Sequence, residues 1–384
     1  MLIPDIKIKL RISSELIDDD NSAFIFSVAN EIPVEVDKNA DRAGISISGE
    51  EENLIILEKQ SGGKFAVTPE YLQFVRNYRD DIAGNLRKSL FDYLPVNYQT
   101  IPPWLRMPLA KLLTRLFSSQ NAKSGKANLF FDIVDYILIN LGLTPVASEN
   151  KNEMPLLTVT VDVDSTEGLK FCNEMERCFN ELNISAAWFF TGELLKKHTS
   201  YVEKISELGY EIGLHGFIHD NRLTALSRDE IRRKFDDCER VIEQFKIKFF
   251  RAPSFRLSNC ALDVLAERKL HDSSFCDSIS LYRYAGTKPA CTSKPFITRG
   301  VLVAPVTIPW DMALKIVGNE EKLPLYWKEK INILKVMNGV ATILIHPEPH
   351  LCGNIKRLKV FKRSIEKILA AGFKKSAICN IITP

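Results

Sequence analysis

The sequence lacks several features that mark well-known classes of protein. None of its eight cysteines forms a CxxC pair, and they do not build a short disulfide framework, so we expect reduced thiols packed in a core. No apolar run reaches the roughly 18 residues of a membrane span. No glycine-rich phosphate loop follows an apolar segment, and the net charge of +3 is small. These absences argue against membrane-spanning, nucleotide-binding and nucleic-acid-binding proteins.

Histidine and cysteine are also missing from the whole of residues 1–150. This part holds 16 Lys and Arg against 20 Asp and Glu, a net charge of −4, so by subtraction from the total of +3 the remainder carries +7. The chain therefore divides into two parts of different character. We expect an accessory N-terminal domain at 1–150 and a catalytic domain at 151–384.

The N-terminal part has two kinds of pattern. Residues 1–66 contain short apolar segments broken by polar turns, which predicts a β-rich unit. Residues 67–143 have helical spacing, and Thr68 followed by Pro69 and Glu70 is typical of a helix start. We therefore expect a small α+β domain, which could bind glycans, form oligomers or bind a pathway partner.

A basic amphipathic segment at 101–117 has two interpretations. Leucines and Phe117 share one helical face, cations occupy the other, and Trp104 lies nearby. Such a helix can lie in a membrane interface beside anionic headgroups. The alternative is that its apolar face packs against the rest of the protein. Because the start of the sequence has no cleavable signal pattern, we expect a cytoplasmic protein, with peripheral contact at the inner membrane face as the further option.

Residues 151–384 alternate apolar strands with helices at least six times. This rhythm predicts a parallel sheet, and about 230 residues with this many units favour a closed barrel. Catalytic groups in such folds collect at the carboxyl ends of the strands. The unusual polar residues of this part stand at predicted strand ends: Asp162, Asp164, His215, His219, Arg251 and His346.

One carboxylate and two imidazoles in this group can hold a divalent metal such as Zn²⁺ with a position open for water. His215 and His219 are four residues apart, which brings both rings to one side over a helical turn. An ion held in this way acidifies a bound water and polarises a carbonyl oxygen. The pattern therefore predicts a hydrolytic metal centre.

The order of the aspartate pair, HxxxH, RxPxF and the late ILIH resembles the NodB-type polysaccharide deacetylases of carbohydrate esterase family 4. The resemblance covers roughly residues 155–384 and implies a distorted parallel (β/α) barrel of seven or eight units. It implies that Asp162 is the catalytic base, steadied by Arg251, and that His346 is the general acid. It also implies that Asp164, His215 and His219 bind the metal, usually zinc.

The sequence marks the substrate pocket less clearly than it marks the catalytic and metal-binding residues. The resemblance places Trp310, Asp311 and Phe255 there, and Asp272 in HDSSF is the alternative to the Trp-Asp pair. Val163 separates the two aspartates, whereas the common motif has adjacent aspartates followed by glycine. Such variants of the motif appear in a sub-branch of the family that includes intracellular amidohydrolases and unusual peptidoglycan deacetylases. His198, His271 and His350 are expected to be ordinary polar residues.

Three functions are compatible with these motifs. The first is a metal-dependent N-deacetylase acting on an acetamido sugar of a cytosolic or lipid-linked surface-glycan precursor, as in O-antigen or capsule biosynthesis. The second is a deformylase or cyclic-amidase relative acting on a small amide. The third is a catalytically silent glycan-binding protein with the same fold. No nucleic-acid partner is expected.

Overall fold

The computed structural model describes residues 9–13, 34–37, 43–48, 53–59, 65–83, 129–140, 143–146, 153–277 and 289–382. The basic amphipathic segment at 101–117 lies outside these residues. No helix in the described part of the chain is long and apolar enough to cross a membrane.

The N-terminal part contains a five-stranded sheet of spatial order β2-β1-β3-β4-β5. Its strands are β1 (Lys9–Ser13), β2 (Val34–Asp37), β3 (Ala43–Ser48), β4 (Asn53–Lys59) and β5 (Phe65–Val67). β1 and β2 run parallel, and the other pairs are antiparallel. The β-rich character expected for residues 1–66 is present in the described part of this region.

Two helices follow the small sheet among the described residues, α1 (Pro69–Asp80) and α2 (Phe130–Asn140). The sequence signals for the start of α1 are realised, because Thr68 Oγ1 accepts a hydrogen bond from the Tyr71 amide at 3.2 Å. Pro69 occupies the first turn, where its missing N–H costs nothing. The local sequence thus determines where α1 begins.

The larger unit has a mostly parallel sheet surrounded by helices. Its strands are β6 (Leu156–Val163), β7 (Ala187–Phe190), β8 (Glu211–Leu214), β9 (Phe249–Phe250), β10 (His271–Asp272), β11 (Phe296–Thr298), β12 (Val301–Val303), β13 (Ile308–Pro309), β14 (Val340–Ile345) and β15 (Lys374–Lys375). Its helices are α3 (Thr166–Leu169), α4 (Cys172–Leu182), α5 (Gly192–Lys197), α6 (Thr199–Glu207), α7 (Arg228–Asp236), α8 (Glu239–Gln244), α9 (Asn259–Glu267), α10 (Leu314–Val317), α11 (Leu323–Tyr326), α12 (Lys328–Val336), α13 (Ile355–Ala370) and α14 (Ile378–Ile381).

The strand pairing follows one curved, mostly parallel sheet that runs from β11 to β13. Parallel pairs join β14, β6, β7, β8, β9, β10 and β12 in that order. The chain then passes from β12 into β13, which pairs in parallel with β14. Between the β10–β12 pair and the β13–β14 pair, the Val306 amide donates a hydrogen bond to the Phe275 carbonyl at 2.7 Å. The expected distorted parallel (β/α) barrel is therefore confirmed.

The helices α1 and α2 pack against the barrel. Tyr78 of α1 donates its hydroxyl to the Pro289 carbonyl at 2.6 Å. Asp132 of α2 accepts hydrogen bonds from the Ser293 amide at 2.8 Å and from the hydroxyls of Thr292 and Ser293 at 2.5 Å. The buried apolar side chains of both helices belong to the same cluster as the barrel core. Part of the expected accessory region therefore completes the core of the larger unit.

Candidate active site

Six polar side chains stand at the carboxyl ends of barrel strands. Asp162 belongs to β6 and Asp164 follows that strand. The His215 and Arg251 amides extend the ladder beyond β8 and β9, donating to the carbonyls of Phe190 at 2.7 Å and Leu214 at 2.8 Å. His346 comes directly after β14. The six buried residues are Asp162, Asp164, His215, His219, Arg251 and His346. The parallel strands thus place all of them at the same end of the barrel.

Asp164, His215 and His219 form a compact donor cluster. The His215 Nε2 atom lies 3.1 Å from Asp164 Oδ1, and His219 Nε2 lies 3.6 Å from Asp164 Oδ2. One ligand atom of each residue lies within 4.8 Å of the others. Two nitrogen donors and one carboxylate oxygen at this spacing are the composition of a catalytic metal site.

The orientation of His215 fits a metal ligand. Its Nδ1 atom lies 3.1 Å from the carbonyl oxygen of Arg251, so the Nδ1–H tautomer donates to that carbonyl. The lone pair of Nε2 then faces Asp164. A backbone carbonyl that fixes the ring in this way is a common outer partner of metal-binding histidines.

The electrostatics of the cluster favour the protonation states that bind metal. Burial by itself would raise the pKa of Asp164, but the imidazoles of His219 and His215 outweigh it and lower that pKa below its usual range. Burial lowers the pKa of His219, although Asp164 opposes the effect. The cluster therefore presents an ionised carboxylate beside a neutral His219 imidazole, the forms that coordinate a cation.

Asp162 lies beside the cluster and is held by a buried arginine. Arg251 Nη1 donates to Asp162 Oδ1 at 2.7 Å and to Thr160 Oγ1 at 3.0 Å. Its other nitrogens donate to the carbonyl and the hydroxyl of Ser273 at 2.9 and 2.7 Å. The guanidinium also lies 4.1 Å from the ring centroid of Phe189. Arg251 is therefore fixed on several sides, and it orients one oxygen of Asp162.

His346 has a carboxylate partner of its own in Asp311. The two side chains approach at 3.0 Å, between His346 Nδ1 and Asp311 Oδ1. The other oxygen of Asp311 accepts from the amides of His346 and Cys352 at 2.7 and 3.2 Å. Burial would lower the pKa of His346, but the charge of Asp311 raises it to about 10. His346 is consequently a cation at neutral pH.

Residues 149–271 match the family model described as polysaccharide deacetylase. The match identifies a polysaccharide deacetylase domain within these residues. The matched residues include the donor cluster, Asp162 and Arg251, whereas Asp311 and His346 lie beyond them.

Individual proteins are similar to the deacetylase domain over part of their length. The uncharacterized protein YlxY of Bacillus subtilis is 24% identical over 129 residues, which are 33% of this chain and 39% of that protein. The peptidoglycan-N-acetylglucosamine deacetylase of Bacillus cereus is 28% identical over 98 residues, 25% of this chain and 35% of that protein. The chain thus matches well under half of the length of either relative. A CE4 family pseudoenzyme from Bacillus anthracis matches in structure at 16% identity, with a TM-score of 0.43, over 61% of this chain and 67% of that chain.

A small cavity of about 70 Å³ opens onto the cluster in the deacetylase domain. Its polar lining includes Asp162, the donor cluster and His346, and Phe255 contributes to its apolar wall. Sequence analysis missed several further lining residues: Ala252, Ser254, Met312, Lys315, Leu344 and Leu351. Leu344 belongs to β14 and Lys315 to α10, and the other four lie in the connections that follow strands, so no local motif marks them.

The wall around Phe255 has an unusual backbone. Ser254 and Phe255 have φ values of 53° and 58°, in the left-handed region that side chains disfavour. Gly216 lies beside this turn with a φ of 62°, and a Cβ atom there would come within 2.5 Å of Pro253 Cδ. The turn therefore brings Phe255 to the cavity at a conformational cost that close packing must offset.

The other residues predicted for the pocket lie elsewhere. Trp310 is not among the described residues that line the cavity, and its ring packs edge-on against Phe361 with 5.4 Å between centroids. Asp311 stands behind His346 and positions it. Asp272 accepts from the amide and the hydroxyl of Ser274 at 2.7 and 2.6 Å, and burial raises its pKa to about 7. Three histidines that were expected to be ordinary polar residues are not among those that line the cavity: His198, His271 and His350.

Glu348 is a further residue that the motifs did not predict. It stands two residues after His346, and its side chain is fully buried beside Asp164. Burial, reinforced by the charge of Asp164, raises its pKa well above the usual range. The signal in the sequence is an acidic residue between two prolines in HPEPH, directly after an apolar strand.

Proposed function

We propose that this protein is a metal-dependent N-deacetylase that removes the acetyl group from an acetamido sugar. One observation carries the proposal. Asp162, oriented by Arg251, and His346, charged through Asp311, both face the cavity that holds the donor cluster. A base and an acid beside a metal site are the groups that amide hydrolysis requires.

Each residue has a role in the proposed reaction. Asp164, His215 and His219 would hold a divalent ion, which supplies a more acidic water and polarises the acetyl carbonyl. Asp162 accepts the proton of the attacking water, and Arg251 keeps one carboxylate oxygen in place. His346 donates its proton to the leaving amine nitrogen, because an unprotonated amine leaves poorly. The metal we propose is Zn²⁺, since two imidazoles and one carboxylate suit a borderline-soft ion.

The size of the cavity supports a small acyl group as the part of the substrate that enters. The cavity of about 70 Å³ is small and is lined by the groups that would act on the amide. The sugar would then lie at the mouth. A formamide or small cyclic amide also fits this volume, so the amidase relative is the second candidate.

We further propose that the substrate carries an anionic group, as phosphate-bearing or lipid-linked precursors of surface glycans do. Lys315 lines the cavity, and residues 151–384 carry a net charge of +7 by subtraction from the total. Such a substrate is consistent with the proposed cytoplasmic location and with the proposed contact of 101–117 with the inner membrane face.

Acetate release tests the proposed reaction. We expect release from acetamido sugars to exceed release of acid from formamides and cyclic amides. Asp162→Asn and His346→Ala should each lower kcat by about 10² to 10⁴, whereas Asp229→Asn, on the exposed face of α7, should not. Unchanged rates in the first two variants would refute the assigned roles. No release from any sugar by the zinc-loaded protein would favour the silent glycan-binding alternative.

A matched pair of substrates tests the role of Lys315. We expect Lys315→Gln to raise KM for a phosphate-bearing acetamido sugar by about tenfold, the loss of one charged hydrogen bond, and to leave KM for the neutral sugar unchanged. Equal effects on both sugars would contradict an anionic substrate, while deacetylation itself would still stand.

A further inference from the structure

Glu348 makes three contacts with the tip of β6. Its Oε1 atom accepts hydrogen bonds from the amides of Asp164 and Ser165 at 2.9 and 3.2 Å. The hydroxyl of Ser165 lies 3.4 Å from the same oxygen. One carboxylate oxygen therefore collects the donors of two successive residues, the first of which belongs to the donor cluster.

The protein maintains this arrangement against a substantial cost. The Glu348 side chain is fully buried, and no lysine, arginine or histidine forms an ion pair with it among the described residues. Burying this polar group away from water and from any cation carries a desolvation cost, so a structural or functional gain must offset it.

The surroundings of Glu348 leave it little freedom. Its own carbonyl accepts from the amides of Leu351 and Gly353 at 2.8 and 3.0 Å, which folds the loop after His346 into a tight turn. On the other side, a Cβ atom at Gly168 would lie 2.5 Å from Glu348 Oε1. Only glycine at position 168 allows the first turn of α3 to approach so closely.

We propose that Glu348 is a positioning residue that sets the metal affinity of the donor cluster by fixing the backbone at Asp164. The inference rests on the proposed metal site. The two amide contacts orient the peptide planes on both sides of the Asp164 Cα atom, and these planes determine where its carboxylate points. Outer partners of metal ligands commonly change affinity by about 10- to 100-fold when removed.

Hydrogen-bond acceptance, rather than charge, is the property that this role needs. A glutamine has the same shape and retains a carbonyl oxygen at the position of Oε1. We therefore expect Glu348→Gln to preserve the orientation of Asp164 and Glu348→Ala to lose it. Gly168→Ala should act in the same direction as Glu348→Ala, because the added methyl group displaces the carboxylate without altering any ligand.

The test is the affinity of the full-length protein for Zn²⁺, measured by competition with a chromophoric chelator. We expect about 10- to 100-fold weaker binding for Glu348→Ala and Gly168→Ala, and binding within about threefold of wild type for Glu348→Gln. Glu167→Ala is the control, because it removes an exposed carboxylate from the same helix. Circular dichroism verifies that each variant is folded, and Gly168→Ala provides the test if Glu348→Ala does not fold.

Two outcomes would overturn the inference. In the first, the folded variants Glu348→Ala and Gly168→Ala bind Zn²⁺ as tightly as wild type. In the second, Glu167→Ala weakens binding as much as they do. If wild type binds zinc and releases acetate in either case, the proposed function survives. A wild-type protein that binds no zinc would overturn both proposals.

Discussion

At the scale of single residues, the groups assigned to proton transfer each have a buried partner of opposite charge. Arg251 is fully buried and Asp311 is fully buried, so neither partner is screened by bulk water. Arg251 contacts the carboxylate of Asp162, and Asp311 contacts the imidazole of His346. The partners therefore hold the base and the acid in place for their proposed roles.

The pair of His346 and Asp311 predicts a specific pH dependence. Because Asp311 raises the pKa of His346 to about 10, the wild-type enzyme should keep its acid protonated up to that pH. Asp311→Asn removes this charge, so the alkaline limb of kcat/KM should move down by at least about one pH unit. Profiles of both proteins from pH 6 to 11 measure the shift, and coincident limbs would contradict the assignment of His346.

The same pair also affects stability, with a defined sign. The pKa of His346 in the folded protein lies above the ordinary value of 6.5. The contribution of the pair is therefore fully present below about pH 6.5 and is lost as pH rises through about 10. The difference in unfolding free energy between wild type and Asp311→Asn should accordingly shrink over that range.

At the scale of elements, the loops after the strands determine the geometry of the site. Gly216 follows His215, has a φ of 62°, and contacts the strained turn that carries Phe255. The sequence predicted the strands that precede these loops, because apolar runs ending in charged residues have a strong pattern. It did not predict the contact between the loops, since this depends on how two distant strands align in the barrel.

Substitution of Gly216 tests the importance of that contact. We expect Gly216→Ala to lower the free energy of unfolding by more than Gly209→Ala and to weaken Zn²⁺ binding. Gly209 is the matched control, because its φ is 84° but no atom lies within 4 Å of an added Cβ. Gly209→Ala should therefore lower the free energy of unfolding only by the cost of an alanine in the left-handed conformation, about 1–2 kcal/mol. Urea unfolding measures the loss of stability, and competition for Zn²⁺ measures the loss of affinity. Equal losses in Gly216→Ala and Gly209→Ala would mean that the contact of Gly216 with the turn has no role.

The segment 301–309 shows a second limit of prediction at this scale. Its sequence VLVAPVTI is one apolar run among those that alternate with helices in residues 151–384. In the structure, β12 at its start pairs with β10, and β13 at its end pairs with β14. Alternation and composition indicate that a segment is extended, but they do not specify its neighbours. The change of partner places β13 beside β14 and brings Asp311 towards His346.

At the scale of the whole molecule, the boundary drawn from composition at residue 150 does not coincide with a boundary in the core. The charge and histidine distributions differ between the two parts of the sequence. The packing differs, because Phe130 and Phe131 of α2 are buried in the same cluster as the barrel helices. Charge and histidine content describe the solvent-exposed surface and the site. They do not reveal the shared core, because it is built from apolar residues that both parts contain.

The docking of α2 predicts that the two parts unfold together. Asp132→Ala removes an acceptor of three hydrogen bonds and leaves buried donors of Thr292 and Ser293 unsatisfied. We expect a loss of about 2–4 kcal/mol in global unfolding free energy, seen as one urea transition at lower concentration. Asp229→Ala, on the exposed face of α7, is the control. A change confined to a separate early transition would show that α2 is independent of the barrel.

The central claim is that metal at the donor cluster is required for deacetylation. The most direct measurement is acetate release from an acetamido sugar by the full-length protein before metal removal, after chelation, and after return of one equivalent of Zn²⁺. We predict that chelation lowers the rate by at least about 100-fold and that zinc restores it, because the metal supplies both the acidic water and the carbonyl polarisation. A rate that chelation leaves unchanged, with the metal shown to be gone, would contradict the account.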